Sequence, residues 1–96
     1  MKMKYKYFAP FGFGIEPDDY VLDLKDGSVW YVNKMTTAGN YDICHMTCCD
    51  AKKGGSKRKI NIMDYLQTKE DRYIVIPEKT ADLFVFGKWS VKWLRL

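Results

Sequence analysis

With 96 residues, 47% of them hydrophobic, 16% aromatic and 29% charged, the chain has apolar mass for one core and too little length for two, which excludes whole-chain disorder and separate domains. Three cysteines cannot all pair internally, so a disulfide-built secreted scaffold is disfavoured and a reducing, cytoplasmic setting is expected. The net charge of +4 is unevenly placed, with three Lys and no acid in residues 1–15, five acids against Lys25 in residues 16–26, and five cations without an acid in residues 51–60, a pattern that suits a polyanionic partner.

Residues 1–7 interleave charge with apolar side chains and contain no continuous apolar run, so they read as neither a signal peptide nor a membrane span. Residues 4–8 alternate Lys4 and Lys6 with Tyr5 and Tyr7 and predict a first strand ending at Pro10. Phe11-Gly12-Phe13-Gly14 joins flexible backbone to large rings, and Pro17-Asp18-Asp19 is turn chemistry.

The clearest architecture lies in residues 20–35. Tyr20, Leu22 and Leu24 alternate with Val21, Asp23 and Lys25, while Val29 to Val32 is a run of β-branched and aromatic residues. With Asp26-Gly27 between them, these predict a β-hairpin turning through a tight type I′ turn. A two-stranded ribbon cannot bury its own apolar face, so other strands must wrap around it. Gly39-Asn40 predicts the next turn and residues 41–49 a returning strand, followed by a basic glycine-containing loop over residues 51–56 and a short strand over residues 58–62.

Asn61 is a helix cap, and Ile62, Met63, Tyr65 and Leu66 form an apolar stripe, so one or two helical turns are expected between residues 62 and 69. Residues 73–76 are a dense strand stopped by Pro77, residues 78–81 a turn or 3₁₀ segment, and residues 83–86 and 89–96 a closing hairpin around Gly87-Lys88. The expected fold is mainly β: one small closed or partly open barrel, SH3-like or OB-like, of five to seven short antiparallel strands spanning residues 1–96, with at most one short helix near residues 62–69.

Cys44-His45-Met46-Thr47-Cys48-Cys49 carries metal-ligand atoms, but a structural zinc site draws its ligands from two separated pairs, and all of these lie on one segment whose side chains alternate sides. The cysteines are better read as small buried apolar groups, and no metal or cofactor is expected. His45 is the sole histidine and points away from Cys44 on a strand, so nucleophilic and acid–base catalysis lack their groups and the chain is read as non-enzymatic.

Residues 5–19, with Tyr5-Lys6-Tyr7-Phe8 leading into Phe11-Gly12-Phe13-Gly14-Ile15 and Pro17-Asp18-Asp19, resemble the opening of cold-shock domains. That resemblance needs a deletion inside the motif, has Phe11 where a basic residue is expected, and stops at Asp19, so the family is not assigned.

The function expected from these features is a binding module for a polyanion, single-stranded nucleic acid or nucleotide phosphates. Lys52, Lys53, Lys57, Arg58 and Lys59 would supply a basic loop, and Lys4, Lys6, Phe11 and Phe13 a stacking platform with cations at its rim. The alternative is a small inhibitor or adaptor of the phage-like, mobile-element kind that blocks a larger host enzyme, such as a nucleic-acid-processing or defence protein, with Trp89 and Trp93 as anchors. A homodimer is compatible with either reading.

Overall fold

A computed structural model describes residues 9–49 and 55–85. The expected strand over residues 4–8, Lys52 and Lys53 of the basic loop, and residues 86–96 of the closing hairpin lie outside the described residues. Six strands form one antiparallel sheet: β1 (Ala9–Pro10), β2 (Tyr20–Asp23), β3 (Val29–Ala38), β4 (Tyr41–Cys48), β5 (Lys57–Asn61) and β6 (Tyr73–Ile76). Two helices accompany them, α1 (Ile62–Thr68) and α2 (Glu78–Val85). The strand order is β1-β6-β2-β3-β4-β5, so a meander from β2 to β5 is followed by a crossover through α1 that brings β6 back beside β2.

The two edges of this sheet, β1 and β5, do not pair among the described residues, and a closed barrel is not formed. The reason is α1, which starts where β5 ends and places the Tyr65 ring 5.2 Å from Phe11, just beyond β1, so that a helix stands where the edges would have to meet. Asn61 caps this helix as its sequence predicts, its side chain accepting from the amide of Asp64 at 3.1 Å, and Lys69 closes it in the left-handed region at φ 58°.

Strand alternation divides the apolar residues between the two sheet faces. Val21, Trp30, Val32, Cys44, Met46 and Tyr73 pack with Ile62 of α1 and with Phe11 and Ile15 in the larger core. Leu22, Leu24, Val29 and Ile76 pack on the other face against Ala81 and Phe84 of α2. That second cluster explains the main departure from the expected elements. Residues 78–85 form a helix where a turn and the start of a strand were expected, because Ala81 and Phe84, three apart, fall on one helical face and cover apolar sheet residues that a further strand would leave open. The amide of Ala81 donates to the Pro77 carbonyl at 2.9 Å and begins the helix where Pro77 ends the strand.

The hairpin between β2 and β3 also turns differently from expectation. Its loop takes in residues 24–27, with the Gly27 amide donating to the Asp23 carbonyl at 2.8 Å, and only Gly27 adopts positive φ, at 79°. A type I′ turn needs two such residues. The longer loop follows from Asp23, whose carboxylate accepts from the Lys25 amide at 2.9 Å and folds the chain back one residue early.

Asp23 is fully buried and lies at the centre of the larger face. Its Oδ2 accepts from Nη1 of Arg58 and Nη2 of Arg72, both at 2.9 Å, and its Oδ1 from Nε of Arg72 at 3.1 Å. Arg58 also donates to the Tyr73 hydroxyl at 2.9 Å and stacks 4.0 Å over the Trp30 ring, so β2, β3, β5 and β6 are joined through one carboxylate. The Tyr65 hydroxyl extends the tie to α1 by accepting from the amides of Arg72 and Tyr73 at 3.1 and 2.9 Å.

Candidate polyanion interface on the outer sheet face

Beyond the reach of α2, the second sheet face is made by β3, β4 and β5. Cross-strand register sets two rows on it, Lys34–His45–Lys59 and Tyr31–Thr47–Lys57. With strands about 4.8 Å apart and about 3.3 Å of rise per residue, Lys34 and Lys59 start about 10 Å apart across His45, and Lys57 lies about 7 Å along the strand from Lys59.

Lys34 owes its place to a bulge. Tyr31 and Val32 pair with Thr47 and Met46, but the register then shifts by one, so that Lys34 pairs with His45 and Asn33 is the extra residue. Without that insertion Lys34 would oppose Cys44 and point into the core, since a one-residue slip moves a side chain to the other face. Asn33 makes use of its irregular position by donating from Nδ2 to the Thr47 hydroxyl.

Lys34, Lys57 and Lys59 are exposed, and none of them is ion-paired among the described residues. His45 is half-buried between them, with Nε2 2.6 Å from Oγ1 of Thr36. Burial, then the charges of Lys34 and Lys59, hold its imidazole below the ordinary value. A neighbouring anion would relieve the lysine repulsion and favour the imidazolium. Tyr31 bounds the patch toward β2, its ring 5.4 Å from Tyr20 and its hydroxyl donating to Asp18.

The sequence-predicted basic cluster is therefore split. Lys57 and Lys59 stand together on the outer face, while Arg58 between them turns its partly buried guanidinium toward Asp23. Phe11 and Phe13 are separated too. Phe11 is 3% exposed, 5.2 and 5.3 Å from the rings of Tyr65 and Tyr73, and cannot serve as a surface stacking ring, whereas Phe13 is 58% exposed. Lys4, Lys6, Lys52, Lys53, Trp89 and Trp93 lie outside the described residues. Lys34 and His45 were missed in the sequence. Placing both on the hairpin was within reach of pattern reading, but the bulge that aligns them has no sequence signature here.

The cysteine segment divides as alternation requires: Cys44, Met46 and Cys48 are buried in the larger core and His45 faces outward. Among the described residues, no group of three His, Cys, Asp or Glu is placed to hold a metal ion. Nor does any helix among them have the length and apolarity to cross a membrane. Neither a protein-family model, nor a curated protein, nor a solved structure matches the chain.

Proposed function

We propose that this chain is a non-enzymatic binding module that holds a polyanion, with single-stranded nucleic acid as its first ligand class, on the outer face of β3, β4 and β5. In this reading the six-stranded sheet is a partly open, SH3-like barrel whose ligand face is basic, and the three free cysteines suit a cytoplasmic setting. The observation that carries it is the bulge at Asn33, which brings Lys34 into one row with His45 and Lys59 on a face where, among the described residues, no carboxylate is paired with these lysines. Lys52 and Lys53 belong to the sequence joining β4 to β5 and lie outside the described residues. Tyr31 and Thr47 complete the second row with a ring at its end and a hydroxyl beside Lys57.

The test is fluorescence anisotropy with a labelled single-stranded oligonucleotide at increasing salt. Affinity should fall steeply with salt, and each of Lys34→Ala, Lys57→Ala and Lys59→Ala should lower the salt slope by about one. Arg58→Ala should instead lower the stability of the fold. Affinity indifferent to salt, or to the triple lysine substitution in a folded protein, would overturn the proposal.

A further inference from the structure

The loop after β1 and the later part of α1 leave two adjoining hollows of about 730 and 760 Å³, which share Pro10, Phe11 and Leu66. Buried Phe11 lines both hollows and buried Ile15 one of them. Of the three large hydrophobic side chains exposed among the described residues, two stand on this groove, Phe13 at 58% and Leu66 at 38%. Exposed apolar side chains that converge on one concavity mark an interaction surface more often than the same residues scattered singly.

The charge around the groove selects its occupant. Among the described lining residues, Glu16 and Asp19 border one hollow and Glu70 and Asp71 the other, against Lys69. Four carboxylates repel a phosphate backbone, so the groove is unsuited to the ligand of the sheet face even though Phe13 offers a ring. Strand addition at β1 is restricted at Pro10, which has no amide hydrogen to donate, and this favours recognition by side chains.

We infer that this groove docks a segment of a partner protein in which an aromatic or aliphatic anchor is flanked by lysine or arginine, the anchor lying between Phe13 and Leu66 and the cations meeting Glu16, Asp19, Glu70 and Asp71. Apolar anchors dominate such contacts, and charge on the rim sets orientation and the rate of encounter. The site is separate from the basic sheet face, so the module would join a protein to a polyanion.

The experiment is selection of a displayed library of short random peptides on the immobilised full-length protein, followed by titration of the winners. Enriched peptides should carry an apolar anchor beside lysine or arginine. Their affinity should fall about tenfold or more with Phe13→Ser plus Leu66→Ser, and again with Glu16→Lys plus Glu70→Lys, while Lys34→Ala, Lys57→Ala and Lys59→Ala leave it unchanged. All are exposed positions, and unchanged urea midpoints would show the fold intact. No enrichment, enrichment of acidic peptides, or binding that survives both double variants would overturn the inference. So would a dimer in sedimentation velocity that Phe13→Ser plus Leu66→Ser dissolves, which would assign the groove to a second copy. Oligonucleotide binding abolished by Phe13→Ser would assign the ring to nucleic acid and overturn it equally.

Discussion

Replacing Asp23 with Asn preserves the shape of the side chain and removes the charge that Arg58 and Arg72 share. Taking away one partner of a buried ion pair costs about 3–5 kcal/mol, because the remaining charge is left uncompensated. The side chains of Arg58 and Arg72 retain 26% and 30% of their surface, so water recovers part of their solvation and the lower end, about 3 kcal/mol, applies. A domain of this size has about 5–15 kcal/mol in all, and each kcal/mol moves the melting midpoint by about 4–8 °C. Asp23→Asn should then melt on the order of 15 °C lower, measured by far-ultraviolet circular dichroism beside urea titrations of both proteins. The pH dependence supplies a second check. Burial opposes ionisation of Asp23, but hydrogen bonds from Arg72, Arg58 and the Lys25 amide prevail and hold the carboxyl below its ordinary value of 3.8. A carboxyl depressed in the folded state contributes stability that is present above its unfolded pKa and is lost as pH falls through the folded value. The gap between wild type and Asp23→Asn should stay constant from pH 7 to about 5 and narrow below about 4. A loss under about 1 kcal/mol, or a gap unchanged in acid, would refute Asp23 as the ionised centre of the fold.

Tyr65→Phe keeps the ring against Phe11 but removes the acceptor for the amides of Arg72 and Tyr73, and should cost about 1–2 kcal/mol in urea titration. Asn61→Ala removes the cap of α1 and should cost about 1 kcal/mol by the same measurement. Burial, and then the charge of Asp19, push the Cys44 thiol up to about 11. Iodoacetamide at about pH 8 should accordingly leave Cys44 unmodified in the native protein and alkylate it in urea, as read by peptide mass mapping.

Local chemistry was legible in the sequence at several points where a residue acts on its immediate neighbours, though not in the β2–β3 turn, where the Asp23 carboxylate lengthens the loop. Gly39 and Asn40 turn the chain between β3 and β4, Asn61 caps α1, and Pro77 stops β6, each for reasons contained within a few residues. What escaped depends on distant partners. Phe84 and Val85 are β-formers by propensity, yet they are helical because the Leu22, Val29 and Ile76 face needs cover. Asp23 sits in an alternating strand where an acid reads as solvent-facing, and its burial follows from two arginines 35 and 49 residues along the chain. Lys57, Arg58 and Lys59 look like one cluster until a strand is imposed on them. The same alternation that makes β5 then sends the middle cation inward.

That inward turn also accounts for the charge of the outer face. Val32, Met46 and Arg58 form one inward cross-strand row, and Asp23, the one buried carboxylate among the described residues, takes the Arg58 charge together with that of Arg72. Lys34, Lys57 and Lys59 face the opposite way, with no carboxylate opposite them in the cross-strand rows. α2 meanwhile covers β2, β6 and the start of β3, where the sheet is apolar, and leaves uncovered the part where it is cationic. Interior pairing thus uses arginine, whose planar fork satisfies a buried carboxylate from two sides, and the surface keeps lysine, whose compact charge stays hydrated and projects into solvent. On the proposed reading, the exposed lysines that this division leaves on the β3–β5 face are what an approaching polyanion would meet first.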